Sequence, residues 1–291
     1  MTNALTLERH ASEAAQNLPA LLANAETLAA TLTAGAHGRR RPGPGETFWQ
    51  YRDYTQNDPA SAIDWRQSAR VPNRYFVRET EWETAATVRL WCSQAESMEY
   101  GSRSVTKLWR AEILTTALAL LLTKAGEKIG VLPPEGPGQG GQRAVMTLAE
   151  YLVSPHRESE DPLPPLCPPG TTQAVYISDF HAPTEDLVKR LKEIAATGVP
   201  THLIAISDIA EETFPFTGRV LFEPPREHHH ARLFGDAKAI ADAYFKARRA
   251  HFGVVEDTCR RFGFTFIRHR TDGPATPALA QIHNAVAGQV R

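Results

Sequence analysis

The chain has 291 residues, in which 32 Lys and Arg face 33 Asp and Glu for a formal net charge of −1, and 42% of the residues are hydrophobic. That length accommodates one large domain with an appendage and a substantial core, and the charge balance lacks the basic excess of a dedicated nucleic-acid binder. Cys92, Cys167 and Cys259 stand far apart with no C-x-x-C spacing, which argues against a disulfide framework or a zinc cluster and fits a reducing cytoplasm. The start of the sequence has neither the basic residues nor the apolar run of a secretory signal. No window approaches the roughly 20 apolar residues of a membrane span. A soluble, cytoplasmic protein without membrane insertion is the expectation.

In chain order, Leu18, Leu21, Leu22, Ala25, Leu28 and Leu32 recur at spacings of three and four. They place one apolar stripe on a helix from about Leu5 to Thr33, with residues 1–34 forming a first segment. The helix is expected to cover the body of the domain, with partner binding as the other option. Residues 35–84 form a small appendage. It opens with GAHGRRRPGPGETF, where glycine, proline and three arginines preclude regular structure. It continues in short β-like pieces rich in aromatics and charges, with turn signals at Asn57-Asp58-Pro59 and Val71-Pro72-Asn73.

From residue 85 to 291 the pattern alternates. ATVRLWCS predicts a buried strand, SVTKLWRAEILTTALALLLTKAG a long helix closed by Gly126, and KIGVLPP a second strand. A helix over roughly 142–153 precedes the proline-rich loop 155–169, which is longer than most compact connections and is expected to be mobile. QAVYISDF, THLIAISD, GRVLFEP and FTFIRHR predict further strands. PTEDLVKRLKEIAATG, the long DAKAIADAYFKARRAHFGVVEDTCRRFG and TPALAQIHNAVAG predict helices. Repeated β-then-α with strands apolar throughout implies an α/β domain with a mostly parallel sheet covered on both faces.

In such a sheet, ligands sit beyond the carboxyl ends of the strands, where strand order reverses. Three strands deliver candidates there: Ser93, Glu96 and Ser97 after the first, Asp179 in YISDF, and Asp208 in AISDIAEE. Magnesium takes hard oxygen ligands in an octahedron, and a loop holding it would offer Asp-x-Ser-x-Ser. The matching positions here are Ser93, Ala95 and Ser97, which leaves Asp179 to hold the charge nearly alone, so no metal is expected. As alternatives to binding, Ser93 and Ser97 would cap the following helix, and Asp179 and Asp208 would cap turns and helices.

His228, His229 and His230 are neighbours on a loop and cannot all face one ion. No G-x-S-x-G elbow, Walker-type phosphate loop or dinucleotide fingerprint occurs, and no nucleophile with its base is visible. Cys92 is expected to point into the core. The tally favours a binding module.

The stretch RDYTQNDPASAIDWRQSARVPNRYFVRETE, residues 52–81, followed by VRLWCSQAESMEYGS, resembles the bacterial domain-of-unknown-function family 58. The pattern of that family runs R-x-Y-x-x-G-D-x-x-R-x-I-D-W-x-x-S-A-R ahead of a D-x-S-x-S-M loop. YISDF, DIAEETFPFTGRVLFE and HRTDGPATPAL are similar to it as well, so the likeness extends from about Gly35 to the end. The resemblance implies a von Willebrand factor A-like domain, of Rossmann-like architecture, and association with MoxR-type AAA+ ATPases in the assembly, maturation or remodelling of other proteins. It also implies a metal-ion-dependent adhesion site at Ser93, Ala95, Ser97 and Asp179. Ser93 and Ala95 depart from the family pattern, as do Asn57 where glycine is usual and Ser61 where arginine is. The site is therefore expected to be degenerate, with Ser97 and Asp179 as the remaining metal candidates for Mg2+. Ser93, Glu96, Ser97, Asp179 and Asp208 are expected to contact a protein partner.

Within the signature, Asp64, Trp65, Arg66, Ser68 and Arg70 are expected to form a charge-assisted cluster beside the indole that fastens the appendage to the α/β body. These readings lead to a non-enzymatic adaptor for a MoxR-type ATPase or its client. The alternative is a metal-assisted hydrolase using Asp179 and Asp208 with His181, although two carboxylates are few for a two-ion clamp. A third possibility, phosphate or nucleic-acid binding through Arg39, Arg40 and Arg41, would show steep salt dependence.

Overall fold

The computed structural model describes residues 2–35, 48–55, 58, 60–71, 74–80, 85–132, 137–154, 162–222 and 231–288. Arg39 to Arg41, Asn57, His228 to His230 and the first half of the proline-rich loop lie outside the described residues. The chain divides into two units, Met1–His37 with Ala86–Arg291, and Gly38–Ala85.

The larger unit is built on five parallel strands: β3 (Thr87–Cys92), β4 (Lys128–Val131), β5 (Gln173–Ser178), β6 (Thr201–Ser207) and β9 (Thr265–Arg270), in the order β4-β3-β5-β6-β9. Their side chains alternate strictly between two cores, as the two-residue period of a strand requires. Val88, Leu90, Cys92, Val175, Ile177, Ile204 and Ile206 face one core. Trp91, Ala174, Tyr176, Leu203 and Ala205 face the other. Both faces are covered, which is why the inner strands β3, β5 and β6 are buried along nearly their whole length, while the edge strand β9 carries exposed Arg268 and Arg270.

Four helices supply the first core: α1 (Thr2–Gly35), α3 (Lys107–Lys124), α4 (Gly141–Val153) and α8 (Ala275–Gly288). The first contributes Leu21, Ala25, Leu28 and Ala29, so the N-terminal helix covers the body of the α/β unit and is part of it. Helix α3 is apolar on nearly every side because it lies beneath α1, α4 and α8 as well as on the sheet. On the opposite face, α5 (Thr184–Ala196) and α7 (Ala241–Phe262) bring Leu187, Leu191, Ile194, Phe252, Val255 and Cys259.

The described half of the proline-rich loop is tied to this second face. The Tyr176 hydroxyl donates to the Pro165 carbonyl at 2.9 Å and the Arg190 guanidinium to that of Pro164 at 2.8 Å, while Leu163 and Cys167 pack on the core.

One predicted strand leaves the sheet. β7 (Val220–Phe222) pairs antiparallel with β8 (Arg232–Phe234), so GRVLFEP begins a hairpin rather than a sixth parallel strand. An aromatic cluster of Phe214, Phe216, Phe222, Phe234, Tyr244 and Phe245 holds its inner side. No helix among the described residues is long and apolar enough to cross a membrane.

The small unit consists of β1 (Phe48–Asp53) paired antiparallel with β2 (Phe76–Thr80), a 3-10 turn at Ala60–Ala62 and a single-turn helix, α2 (Trp65–Ser68). Val77 is its buried apolar side chain among the described residues. Ion pairs and ring contacts make up the rest. Arg52 grips Asp58 with two bonds of 2.6 Å, and Arg74 grips Asp53 at 3.0 and 2.5 Å while lying over the Phe76 ring.

Candidate functional site

The connection leaving β3 runs out through α3 to β4, and the chain then returns to β5 on the other side of β3. Strand order therefore reverses between β3 and β5, and the carboxyl ends of these two strands flank the crevice where α/β folds place ligands. The Ser93 amide extends the ladder by donating to the Ile177 carbonyl at 2.9 Å, and the Ser93 hydroxyl accepts the Ala95 amide at 3.3 Å. The serine thus shapes the loop. The cap of α3 is Thr106, whose hydroxyl accepts from the Trp109 amide at 3.1 Å, and a 3-10 turn at Glu96–Glu99 stands between loop and helix.

Across the crevice, Asp179 is 2% exposed and bonded through both carboxylate oxygens. One accepts the His181 amide at 3.2 Å; the other accepts the Lys107 ammonium at 2.8 Å and lies 3.3 Å from His181 Nδ1. Arg248 Nη1 lies 3.3 Å from the other imidazole nitrogen, which must then accept, so the imidazole proton sits on Nδ1 and points at Asp179. Burial alone would raise the Asp179 carboxyl. The His181 hydrogen bond and the Lys107 charge outweigh it and hold the group well below the usual carboxylate range.

Lys107 is fully buried, and its ammonium also meets Glu211 Oε1 at 2.5 Å, with the Tyr100 ring 5.9 Å away. It opens α3, where a positive charge opposes the helix dipole. The two carboxylates reverse that penalty.

Glu211 belongs to a capping box. Asp208 is the N-cap of α6 (Ile209–Thr213), and Glu211 Oε2 accepts the Asp208 amide at 2.9 Å. The Asp208 carboxylate accepts the Ala210 amide at 2.8 Å, the Ser102 amide at 3.0 Å, the Ser102 hydroxyl and the Thr271 hydroxyl at 3.2 Å. It fastens the end of β6 to the loop before α3 and to the end of β9. Burial pushes its carboxyl up, and the Ser102 and Ala210 bonds bring the net below the ordinary value.

Beyond His181 the charges continue to alternate. Arg248 and Arg268 both bond Glu212 Oε1, at 2.8 and 3.2 Å, and both stack on the Phe252 ring at 4.8 Å. His251 donates from Nε2 to the Phe180 carbonyl at 2.7 Å, leaving Nδ1 to accept the Thr184 hydroxyl at 2.8 Å. Phe180 holds a left-handed backbone with φ of 52°, a strained conformation for a bulky residue that turns the chain sharply after Asp179.

Of the residues expected at a partner-binding strand-end face, Ser93, Asp179 and Asp208 are buried and spent on internal bonds. Glu96 and Ser97 are half-buried at the rim, where Tyr100 and His181 join them. Asp179 and Asp208 are not a pair around one ion, because Lys107 and Glu211 stand between them in the bond sequence. Among the described residues, no group of three or more His, Cys, Asp or Glu is placed to hold a metal. Lys107, Glu211, Ser102 and Thr271 were not singled out from the sequence. The D-x-x-E spacing from Asp208 to Glu211 and a lysine at the first position of an apolar helix were the available signals.

The signature turn of the small unit departs from expectation. Asp64 does not form a charge cluster with Arg66 and Arg70. One of its oxygens accepts the Arg66 and Gln67 amides, both at 3.0 Å, capping α2, and the other meets the Tyr51 hydroxyl at 3.2 Å. Ser68 is buried, donates to the Asp64 carbonyl at 2.8 Å and accepts the Phe76 amide at 2.9 Å. With the carboxylate used by the cap, Arg66 and Arg70 remain exposed and have no ion pair among the described residues. Trp65 is 62% exposed and meets the 53% exposed Tyr75 edge to face at 6.0 Å.

Residues 50–253 match the model of the family described as protein of unknown function DUF58. The chain belongs to the DUF58 family. This agrees with the resemblance carried by the I-D-W-x-x-S-A-R turn. The fold is similar to that of conserved hypothetical protein BatB from Bacteroides thetaiotaomicron, at 12% identity and a TM-score of 0.42, covering 70% of this chain and 98% of that one. It is also similar to an aerotolerance-related membrane protein from Bacteroides fragilis NCTC 9343, in a form with multiple mutations to serines. There the identity is 12% and the TM-score 0.41, with coverage of 70% of this chain and all of the other. No curated protein matches the chain.

Proposed function

We propose that this DUF58 protein is a non-enzymatic, cytoplasmic adaptor that binds protein partners and works beside a MoxR-type AAA+ ATPase in the assembly or maturation of other proteins. The observation that carries the reading is the signature turn. Asp64 and Ser68 are consumed in fixing its backbone, while Trp65, Tyr75, Arg66 and Arg70 are left exposed. Tryptophan, tyrosine and arginine are the residues in which binding energy concentrates at protein interfaces. Trp65 and Tyr75 meet edge to face at 6.0 Å and so present a paired aromatic surface with polar tips, the amphipathic kind enriched at interfaces.

The strand-end face supports a non-enzymatic role, since its carboxylates are bonded to protein groups rather than poised over a cavity. A partner meeting that face would touch Glu96, Ser97, Tyr100 and His181, with Ser93, Asp179 and Asp208 shaping the rim from beneath. The test is affinity purification of the tagged full chain from its native cells, beside Trp65→Ala and Arg70→Glu variants. Retention of an AAA+ ATPase by the wild type and its loss in the variants is the expected result. A wild-type chain that elutes alone, or variants that retain the ATPase equally well, would defeat the proposal.

A further inference from the structure

We infer that the ammonium of Lys107 is this protein's own cation at the switch-point crevice, standing where a divalent ion would otherwise be held. The inference is independent of the adaptor reading. Two carboxylate oxygens from different connections, Asp179 Oδ2 just after β5 and Glu211 Oε1 in α6, converge on one point at 2.8 and 2.5 Å, and that point is Lys107 Nζ. Convergent hard oxygens are what magnesium or manganese requires. Here a fixed positive charge already lies at their focus, and a second cation bound to the same oxygens would be repelled by it at close range.

The surrounding charges are also answered by protein groups. Lys107 faces both Asp179 and Glu211, the neutral His181 turns its Nδ1–H toward Asp179, and Arg248 and Arg268 answer Glu212 and Glu256. The first strand contributes Ser93 rather than a carboxylate, so no further negative charge calls for a divalent partner. Lysine is fully buried here, and a buried ammonium persists only when it is paired. The residues present therefore do not fit the metal that the family resemblance implies. They fit its replacement by a side chain.

This makes a prediction in both directions. The wild type is indifferent to divalent ions, and deletion of the lysine side chain creates a site for one, because Asp179 Oδ2 and Glu211 Oε1 are then left converging on the point that Nζ had occupied. The experiment compares the full-length wild type, Lys107→Ala, Lys107→Met and Lys107→Ala with Asp179→Asn. Thermal unfolding and isothermal calorimetry are read with MnCl2 and MgCl2, and the bound Mn2+ is counted by electron paramagnetic resonance.

The wild type is expected to show no shift and no stoichiometric Mn2+. Lys107→Ala is expected to melt lower than wild type and to recover with about one equivalent of Mn2+. Lys107→Met, which refills the stem space without charge, and the double variant should melt low and not recover. Stoichiometric Mn2+ in the wild type overturns the inference, and so does a Lys107→Ala variant that ignores divalent ions. If Lys107→Ala cannot be refolded, the same titration is made during refolding: recovery only with Mn2+ or Mg2+ supports the inference, and recovery in neither condition overturns it.

Discussion

The crevice at the ends of β3 and β5 and the signature turn of the small unit are both rich in residues that carry chemistry, yet they spend them differently. In the crevice the charged groups are buried and bonded to one another: Lys107 to Asp179 and Glu211, Asp208 to Ser102 and Thr271. In the signature turn only the short polar residues are bonded inward, and Trp65, Arg66 and Arg70 are left at the surface. A charge-rich strand end in an α/β sheet is thus not by itself a place where a partner or an ion binds. Burial and the bond inventory separate structural from presented groups.

The largest expected effect that would break this contrast is at Asp208. Asp208→Ala removes four acceptor contacts and leaves buried donors unpaired, so the full chain should lose about 3 kcal/mol in urea unfolding. A loss below about 1 kcal/mol would mean the carboxylate is not structural.

Gly130 tests the packing under the same sheet. It lies in register with Arg89, a residue 4% exposed, and an added Cβ would stand 2.2 Å from Arg89 Nη1 and 3.0 Å from its Cδ. Gly130→Ala should cost about 2 kcal/mol, and adding Arg89→Met should return much of it, a non-additivity read in the double-mutant cycle.

Acidity probes the sheet through two histidines. Burial lowers His202 and His269 to about 4 from an ordinary value of 6.5. The native chain keeps both neutral while the unfolded chain protonates below about 6.5, so their contribution is complete above that pH and is lost as pH falls toward 4. Each should add a slope of up to about 1.4 kcal/mol per pH unit in that window, and His202→Gln or His269→Gln should flatten it. Asp179 acts lower on the scale. Its depressed carboxyl contributes above its unfolded value of 3.8 and is lost only in stronger acid.

The smallest effects sharpen the comparison within the signature turn itself. Asp64→Ala should cost about 1 kcal/mol through the lost cap, whereas Trp65→Ala should change stability by no more than about 0.5 kcal/mol. A large loss on removing the indole would make it a packing residue and remove the main support for its role as a contact.

The alternation of strands and periodic helices made the sheet legible in the sequence, because both faces are buried and the inner strands had to be largely apolar. The capping role of Asp208 was legible too, since a D-x-x-E spacing is local. Lys107 was not: its partners lie 72 and 104 residues away, and no local pattern pairs a helix-opening lysine with a strand-end aspartate. The signature misled for a related reason. Asp64, Arg66 and Arg70 are close in sequence, but the amides of a one-turn helix are closer to the carboxylate than either guanidinium is. GRVLFEP has the composition of a core strand, and only its pairing with Arg232–Phe234 shows that it stands outside the sheet.

Helix α1 precedes the region that matches the family, and β9 and α8 follow it, yet Leu21, Ala25, Leu28, Leu279 and Ile282 share one core beneath the sheet. A fragment trimmed to residues 50–253 would therefore lose two helices of one layer and an edge strand, and would leave the oily flank of α3 facing water. During synthesis that flank is not sealed until α8 has emerged. Helices α1 and α8 act as a clasp over α3, and a chain in which either is not yet in place exposes apolar surface that invites aggregation.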